Sequence, residues 1–323
     1  YSGCLILTGG SEVLTHNNNL GPGPLILNGG VHLDYWAGTF TRTLGSGAGE
    51  VSIPGGNSGF GGSGSNGGKV RLNNSAGFEV VWGSTHFNPD ILILQSPKVN
   101  QNGHVKFENN LDLNGQDRII TCQKENLDQG GYGRVEGDIQ DSVGNSSITK
   151  RGVGVLDFSG SNSYGGNTIV EEGIMEFNSS GSIGGTGRSI IPSSNVTISA
   201  GYAINNSFLN RIEESSTQFY ITLGDVGSSN DLDFSSATGA TLPSAIFGTR
   251  NNETYSGTLT PHTNYRLGGG HFGTLTMSGT VSGSYGLITY DDVVLSGVIS
   301  YTGDTTIQDG NTLTLDSPNF FCG

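Results

Sequence analysis

Ser159-Gly160-Ser161-Asn162-Ser163-Tyr164-Gly165-Gly166-Asn167-Thr168-Ile169-Val170-Glu171-Glu172-Gly173 returns near the end of the chain as Ser296-Gly297-Val298-Ile299-Ser300-Tyr301-Thr302-Gly303-Asp304-Thr305-Thr306-Ile307-Gln308-Asp309-Gly310. One inserted residue later, Ile174-Met175-Glu176-Phe177 matches Thr312-Leu313-Thr314-Leu315. The first residues fit the same template, with Tyr1-Ser2-Gly3 on Tyr301-Thr302-Gly303 and Gly10 on Gly310. A unit that recurs within one chain buries its apolar side by stacking on its neighbours. This unit is built of short alternating strands between Gly/Asn turns. The expected fold is therefore all-β, a parallel β-helix (β-solenoid).

Working outward, the rest of the chain agrees. It has 323 residues, of which 55 are glycine and only 13% are charged, and the helix formers Lys, Glu, Met and Ala are sparse. Val, Ile, Leu and Phe recur at every second residue in many segments, which separates the chain from a disordered glycine-rich polymer. Sandwiches need antiparallel hairpins and a larger aromatic core. A solenoid grows along one axis, so residues 1–323 are expected to form a single rod of about 13–16 coils. Leu25, Leu27, Leu92, Leu94, Val155, Ile169, Leu313 and Leu315 are expected to point inward. Asp90-Ile91-Leu92-Ile93-Leu94 reads as a strand buried on both faces, and Asn28-Gly29-Gly30 as a turn between two strands. Residues 45–68, rich in Gly and Ser, read either as a loose loop or as narrow coils. Residues 203–290 are more irregular, with a helical turn expected over 210–216.

Charge narrows the partners. Lys+Arg number 14 against 28 Asp+Glu, a net charge of −14, and no Lys/Arg cluster is visible along the sequence. That argues against nucleic acid and anionic membrane surfaces, and no nucleic-acid partner is expected. No apolar run approaches the ~20 residues of a membrane-spanning helix. Tyr1 is not an initiator Met and no signal peptide precedes the repeats, so a mature or excised product is expected.

Few residues suggest chemistry. Glycosidic cleavage needs paired carboxylates on one face. Asp231 and Asp233 are spaced for that and for a Ca²⁺ ion, though a solvated face is the better reading. Asp291-Asp292 and Glu171-Glu172 are adjacent, which in a strand sends them to opposite faces. His16, His32, His86, His104, His262 and His271 lack metal-ligand spacing, although the last two come within reach across neighbouring coils. No nucleophile elbow appears, and Gly268-Gly269-Gly270 lacks a phosphate-binding lysine. Trp36, Trp82 and the tyrosines would stack on sugars if exposed, but Trp82, in an alternating strand, is expected in the core. Asn-x-Ser/Thr sequons such as Asn195-Val196-Thr197 are expected by chance here. No catalytic, metal or cofactor site is predicted.

Four blocks resemble the autotransporter-associated β-strand repeat proteins. Leu20-Gly21-Pro22-Gly23-Pro24-Leu25-Ile26-Leu27-Asn28-Gly29-Gly30 is similar to the element LGxGxLxLNGG. Val81-Trp82-Gly83-Ser84-Thr85-His86-Phe87-Asn88-Pro89 resembles WGSxxFxP. Ile148-Thr149-Lys150-Arg151-Gly152-Val153-Gly154-Val155-Leu156, running on to Gly173, resembles the signature beginning LTKxGxGxLxL. Thr254-Tyr255-Ser256-Gly257-Thr258-Leu259-Thr260-Pro261, with Tyr265 to Gly270, completes the set. The resemblance implies a right-handed parallel β-helix, an extracellular or cell-surface location, a structural or adhesive role, and no shared catalytic residues.

The expected function is an extracellular structural protein that builds a surface fibre, surface layer or adhesin by joining itself head to tail. Cys4 and Cys322, near opposite ends of the rod, are candidates for an intersubunit disulfide; Cys122 has no assigned pairing. The alternative is a protein that binds or cleaves a surface polysaccharide.

Overall fold

Short apolar–polar strands in this chain can pair only through a neighbouring coil, and the computed structural model shows that arrangement. It describes residues 2–16, 20–35, 38–63, 67–96, 103–123, 131–187, 189–235, 241–270 and 273–316. Two compact units are distinguished: Tyr1–Met175 with Gly181–Thr186, and Glu176–Ser180 with Gly187–Gly323. Each is a parallel β-helix.

In the first unit the core is a set of ladders, one rung per coil. Phe40, Val70, Phe107, Val135 and Phe158 pair in succession and are all buried. Val80, Leu111 and Ile139 form a second ladder. Ser58, Leu92, Ile120, Lys150 and Val170 form a third, with a lysine at a core position. In the second unit Ile198, Ile221, Phe247, Leu267, Thr289 and Ile307 are successive rungs, as are Tyr255, Met277, Leu295 and Leu315. Burying each large apolar rung is worth about 1.5–3 kcal/mol, and no coil can do so alone.

Corners are stapled from coil to coil by Asn and Asp side chains that accept backbone N–H groups. Asn110 Oδ1 accepts from Asp138 N (2.9 Å), and Asp138 Oδ1 from Ser161 N (2.7 Å). Asn162 Oδ1 accepts from Ile139 N (2.9 Å). The second unit repeats the device at Asn252–Thr274, Asn264–Gly286 and Asp292–Thr312. Backbone donors at a corner lie outside the strand ladders, so these side chains supply a partner.

Several expectations need correction. Asn28-Gly29-Gly30 is not a turn between strands: Leu25–Tyr35 is one strand, paired along its length with Leu5–His16. The register slips between Thr8 and Ser11, where Gly9 (φ +60°) and Gly10 (φ +80°) form a bulge. Residues 45–68 include the strands Val51–Gly55 and Asn57–Ser63. Coil length varies more than the repeat suggests, from Leu287 paired with Thr305 to Lys69 paired with Lys106. The helical turn is Asn206–Leu209, capped by the Asn205 side chain on Phe208 N, rather than 210–216. Ile91 and Ile93 are only half-buried, so that strand is covered on one face.

The inward assignment holds for Leu25, Leu27, Leu92 and Leu94. Ile169 is the clear error: Thr168 and Val170 are buried on either side of it. Val170 stacks on Lys150, and the polar lysine hides the true alternation. Val155 is buried, but it lies opposite the ladder residues Leu156 and Phe158. Leu313 is half-buried and Leu315 is 46% exposed, because their strand is outermost in its sheet.

Candidate functional site

The carboxylates singled out by spacing turn out to hold the backbone. Asp231 Oδ1 accepts from Thr258 N (2.8 Å), whereas Asp233, buried, accepts from Ser235 N (2.8 Å) and Oγ (2.6 Å). Asp233 therefore does not lie on a solvated face. Asp291 accepts from Asp292 N, Asp292 from Thr312 N, and Glu172 from Gly152 N, while Glu171 pairs with Arg151 at 2.6 Å. Among the described residues no group of three or more His, Cys, Asp or Glu is placed to hold a metal ion. No described helix is long and apolar enough to cross a membrane.

The histidines are scattered as well. His32 is a core residue beside Phe40 (ring centroids 4.7 Å apart), and burial, with a smaller contribution from Arg42, pushes its pKa down to about 3. His86 Nδ1 lies 3.2 Å from Ser52 Oγ. His262 lines a small recess with Phe234, Leu242, Phe247 and Arg266; its Nδ1 and the Arg266 Nε are buried without a hydrogen bond. The His16 side chain, His271, Trp36 and Cys322 lie outside the described residues, so the disulfide pairing with Cys4, which is exposed, is not placed. Trp82 is fully buried, as expected, and donates from Nε1 to Pro89 O (2.8 Å).

Stacking also creates a feature that the linear sequence hides. The expectation that no Lys/Arg cluster exists is corrected on the outer face of the first unit's sheet. Lys69, Lys106 and Arg134 are register partners on successive strands, Gly68–Val70, Val105–Phe107 and Tyr132–Val135. They alternate with the inward ladder and so point outward. Arg71 follows two residues after Lys69 on the same face. Other described cations of this unit are committed to structure. Arg42 donates to Gly21 O and Gly23 O (2.7 Å each), and Arg118 to Trp82 O (2.6 Å). Lys150 Nζ donates to Glu172 O (2.6 Å) and Gly152 O.

Acids sit among these cations on the same face. Glu108 contacts Arg71 and lies 3.6 Å from Lys69; Glu136 lies 3.3 Å from Lys106; Asp157 accepts from Arg134 Nε (2.6 Å). The depths differ: Lys69 is 42% exposed, Arg71 37%, and Lys106 and Arg134 24% each, while Glu108 (7%) and Asp157 (2%) are sunken and Glu136 (30%) is level with its cationic partners. Burial works to lower the Arg134 pKa, but Asp157 and its neighbours outweigh it, so Arg134 stays charged. Along one side His104 and Tyr132 stack face to face (4.7 Å, 11°), and the Arg134 guanidinium lies 4.8 Å from the Tyr132 ring centre. The His104 ring rests on Gly67, where a side chain would collide with it.

This arrangement offers hydrogen-bond donors, positive charge and a ring surface. The missed signal was register: Lys69, Lys106 and Arg134 are far apart in sequence but one coil apart in space. No protein-family model, curated protein or solved structure matches this chain.

Proposed function

We propose that this protein is an extracellular structural element, a β-helix building block that joins copies of itself end to end in a surface fibre or layer. The observation that carries the reading is the outermost coil of the second unit. Its ladders end on Ile307, 48% exposed, and Leu315, 46% exposed, although every other position in those two ladders is buried. Their strands, Thr305–Ile307 and Leu313–Leu315, are outermost in their sheets and carry no charge or proline to block pairing. In the first unit Leu5–His16 is likewise outermost, with one acidic residue. Pairing such open edges between copies would cover the exposed rungs, and a contact of that heterologous kind repeats without closing. The resemblance to autotransporter-associated repeats supports the same role and the location outside the cell.

Sedimentation velocity across a concentration series, with electron microscopy of the same samples, tests this. We expect mass to rise with concentration and linear particles to appear. The double variant Ile307→Lys/Leu315→Lys should stay monomeric with an unchanged circular-dichroism spectrum. Wild-type protein that remains monomeric at the highest concentration refutes the reading.

A further inference from the structure

The outer face that carries Lys69, Lys106 and Arg134 has properties that a purely structural sheet would not need. In a chain with 14 cations and 28 acids, four of the first unit's outward-reaching cations are gathered on one face. Lys69 is the direct cross-strand neighbour of Lys106, and Lys106 of Arg134. Like charges opposite one another destabilise a sheet, and Glu108, Glu136 and Asp157 offset this only in part, three acids among four cations. Local conflict of this kind is expected where a surface has a second duty.

We propose that this face binds a linear carboxylated polysaccharide, one sugar unit per coil. Successive rungs are about 4.7–4.9 Å apart, close to the length of one pyranose in an extended glycan. Lys69, Lys106 and Arg134 present a donor at each rung to a row of carboxylates, and the sunken Glu108 and Asp157 keep the cationic side chains extended. Tyr132 supplies an aromatic edge beside that row, and His104, seated on Gly67, braces it. Single-stranded nucleic acid is the weaker fit, because three cations in a row cannot offset the repulsion from a net charge of −14 along a polyphosphate. This site is independent of end-to-end assembly, since its residues lie on an outer face and not at a coil edge.

Affinity electrophoresis of the full chain through gels containing polygalacturonate, a neutral dextran or no polymer tests the proposal. Fluorescence polarisation with a labelled single-stranded DNA oligonucleotide accompanies it. Polygalacturonate should retard the protein, less so as salt rises from about 50 to about 200 mM, and dextran should not. Lys69→Gln/Lys106→Gln should weaken binding about tenfold or more, the loss expected for two charge-assisted contacts. Lys106→Gln alone should show an intermediate loss, and Tyr132→Leu a smaller one. Arg151→Gln, which removes an exposed cation paired with Glu171, should bind as wild type. No retardation, equal retardation by dextran, equal loss in Arg151→Gln, or tighter binding of the oligonucleotide would each overturn the proposal.

Discussion

Lys150 shows how far one residue can depart from its usual place. It occupies a core rung between Ile120 and Val170, fully buried, and its ammonium reaches the corner to donate to Gly152 O and Glu172 O. A buried ammonium is tolerable only when carbonyls replace its water. Burial pushes its pKa down from 10.5 to about 8, with Cys122 and Glu172 acting in the opposite direction. Between those values the unfolded chain holds a proton that the folded chain lacks, so stability from this group rises with pH across that window. Below about 8 the cost of the buried charge is fully present. Lys150→Met removes the donor and strands two carbonyls, which should cost about 1–3 kcal/mol near neutral pH. Urea unfolding at about pH 7 and about pH 9.5 should show the gap to wild type widening at the higher pH. A constant gap would mean that the ammonium is not desolvated.

At the scale of the element, the corners matter as much as the strands. Asp141 accepts from Gly115 N and Ser146 N (2.7 Å each), tying one corner to the previous coil, and Asp112 accepts from Ser142 N (3.0 Å) and Oγ (2.6 Å). Burial alone would raise the Asp141 pKa, but hydrogen bonds from Ser146, Gly115 and Val143 overcome it and hold the value at about 2, below the ordinary 3.8. Asp112 is lowered too: burial works against the shift, and its bonds to Ser142 and Asn114 prevail. A depressed carboxyl stabilises the fold above its unfolded pKa, and that contribution disappears as pH falls through the folded value. The melting temperature should therefore drop between about pH 4 and about pH 2, and Asp112→Asn/Asp141→Asn should flatten that limb while lowering the plateau. An unchanged acid limb would show that these corners do not respond to protonation. Turn positions of this kind were readable from Gly and Asn in the sequence. Which Asp reaches which N–H was not, because each staple spans a coil whose length varies.

For the whole molecule, the repeat between residues 159–177 and 296–315 was enough to read a stacked parallel β-helix, because it shows a unit that cannot bury itself. Facing was harder to read, and the reason is again coil-to-coil register. Thr168-Ile169-Val170 has apolar residues at adjacent positions, and only the stack on Ile120 and Lys150 decides that Val170 is the rung. The cationic face was invisible for the same reason, since Lys69, Lys106 and Arg134 meet only after Phe107 and Val135 have set the ladder. Register at this point is testable through the cooperativity of the stack. In a solenoid each coil leans on its nearest neighbours, so damage to one rung should spread along the axis and weaken with distance. Val170→Asp places a charge in the core one rung from Lys150, whose ammonium is already turned to the corner carbonyls Gly152 O and Glu172 O, with about 3–5 kcal/mol expected as the cost of a poorly compensated core charge. Ile169→Asp, on the half-buried outer side, should cost no more than about 1 kcal/mol. Hydrogen exchange read by mass spectrometry should show Val170→Asp losing protection first in Arg118–Thr121 and Ile148–Arg151, the strands stacked in sequence on it. Gly68–Val70 and Thr39–Phe40, further along the stack, should keep theirs longest. Uniform loss across the first unit would mean that it unfolds as a single block, and greater damage from Ile169→Asp would mean that the rung assignment is inverted.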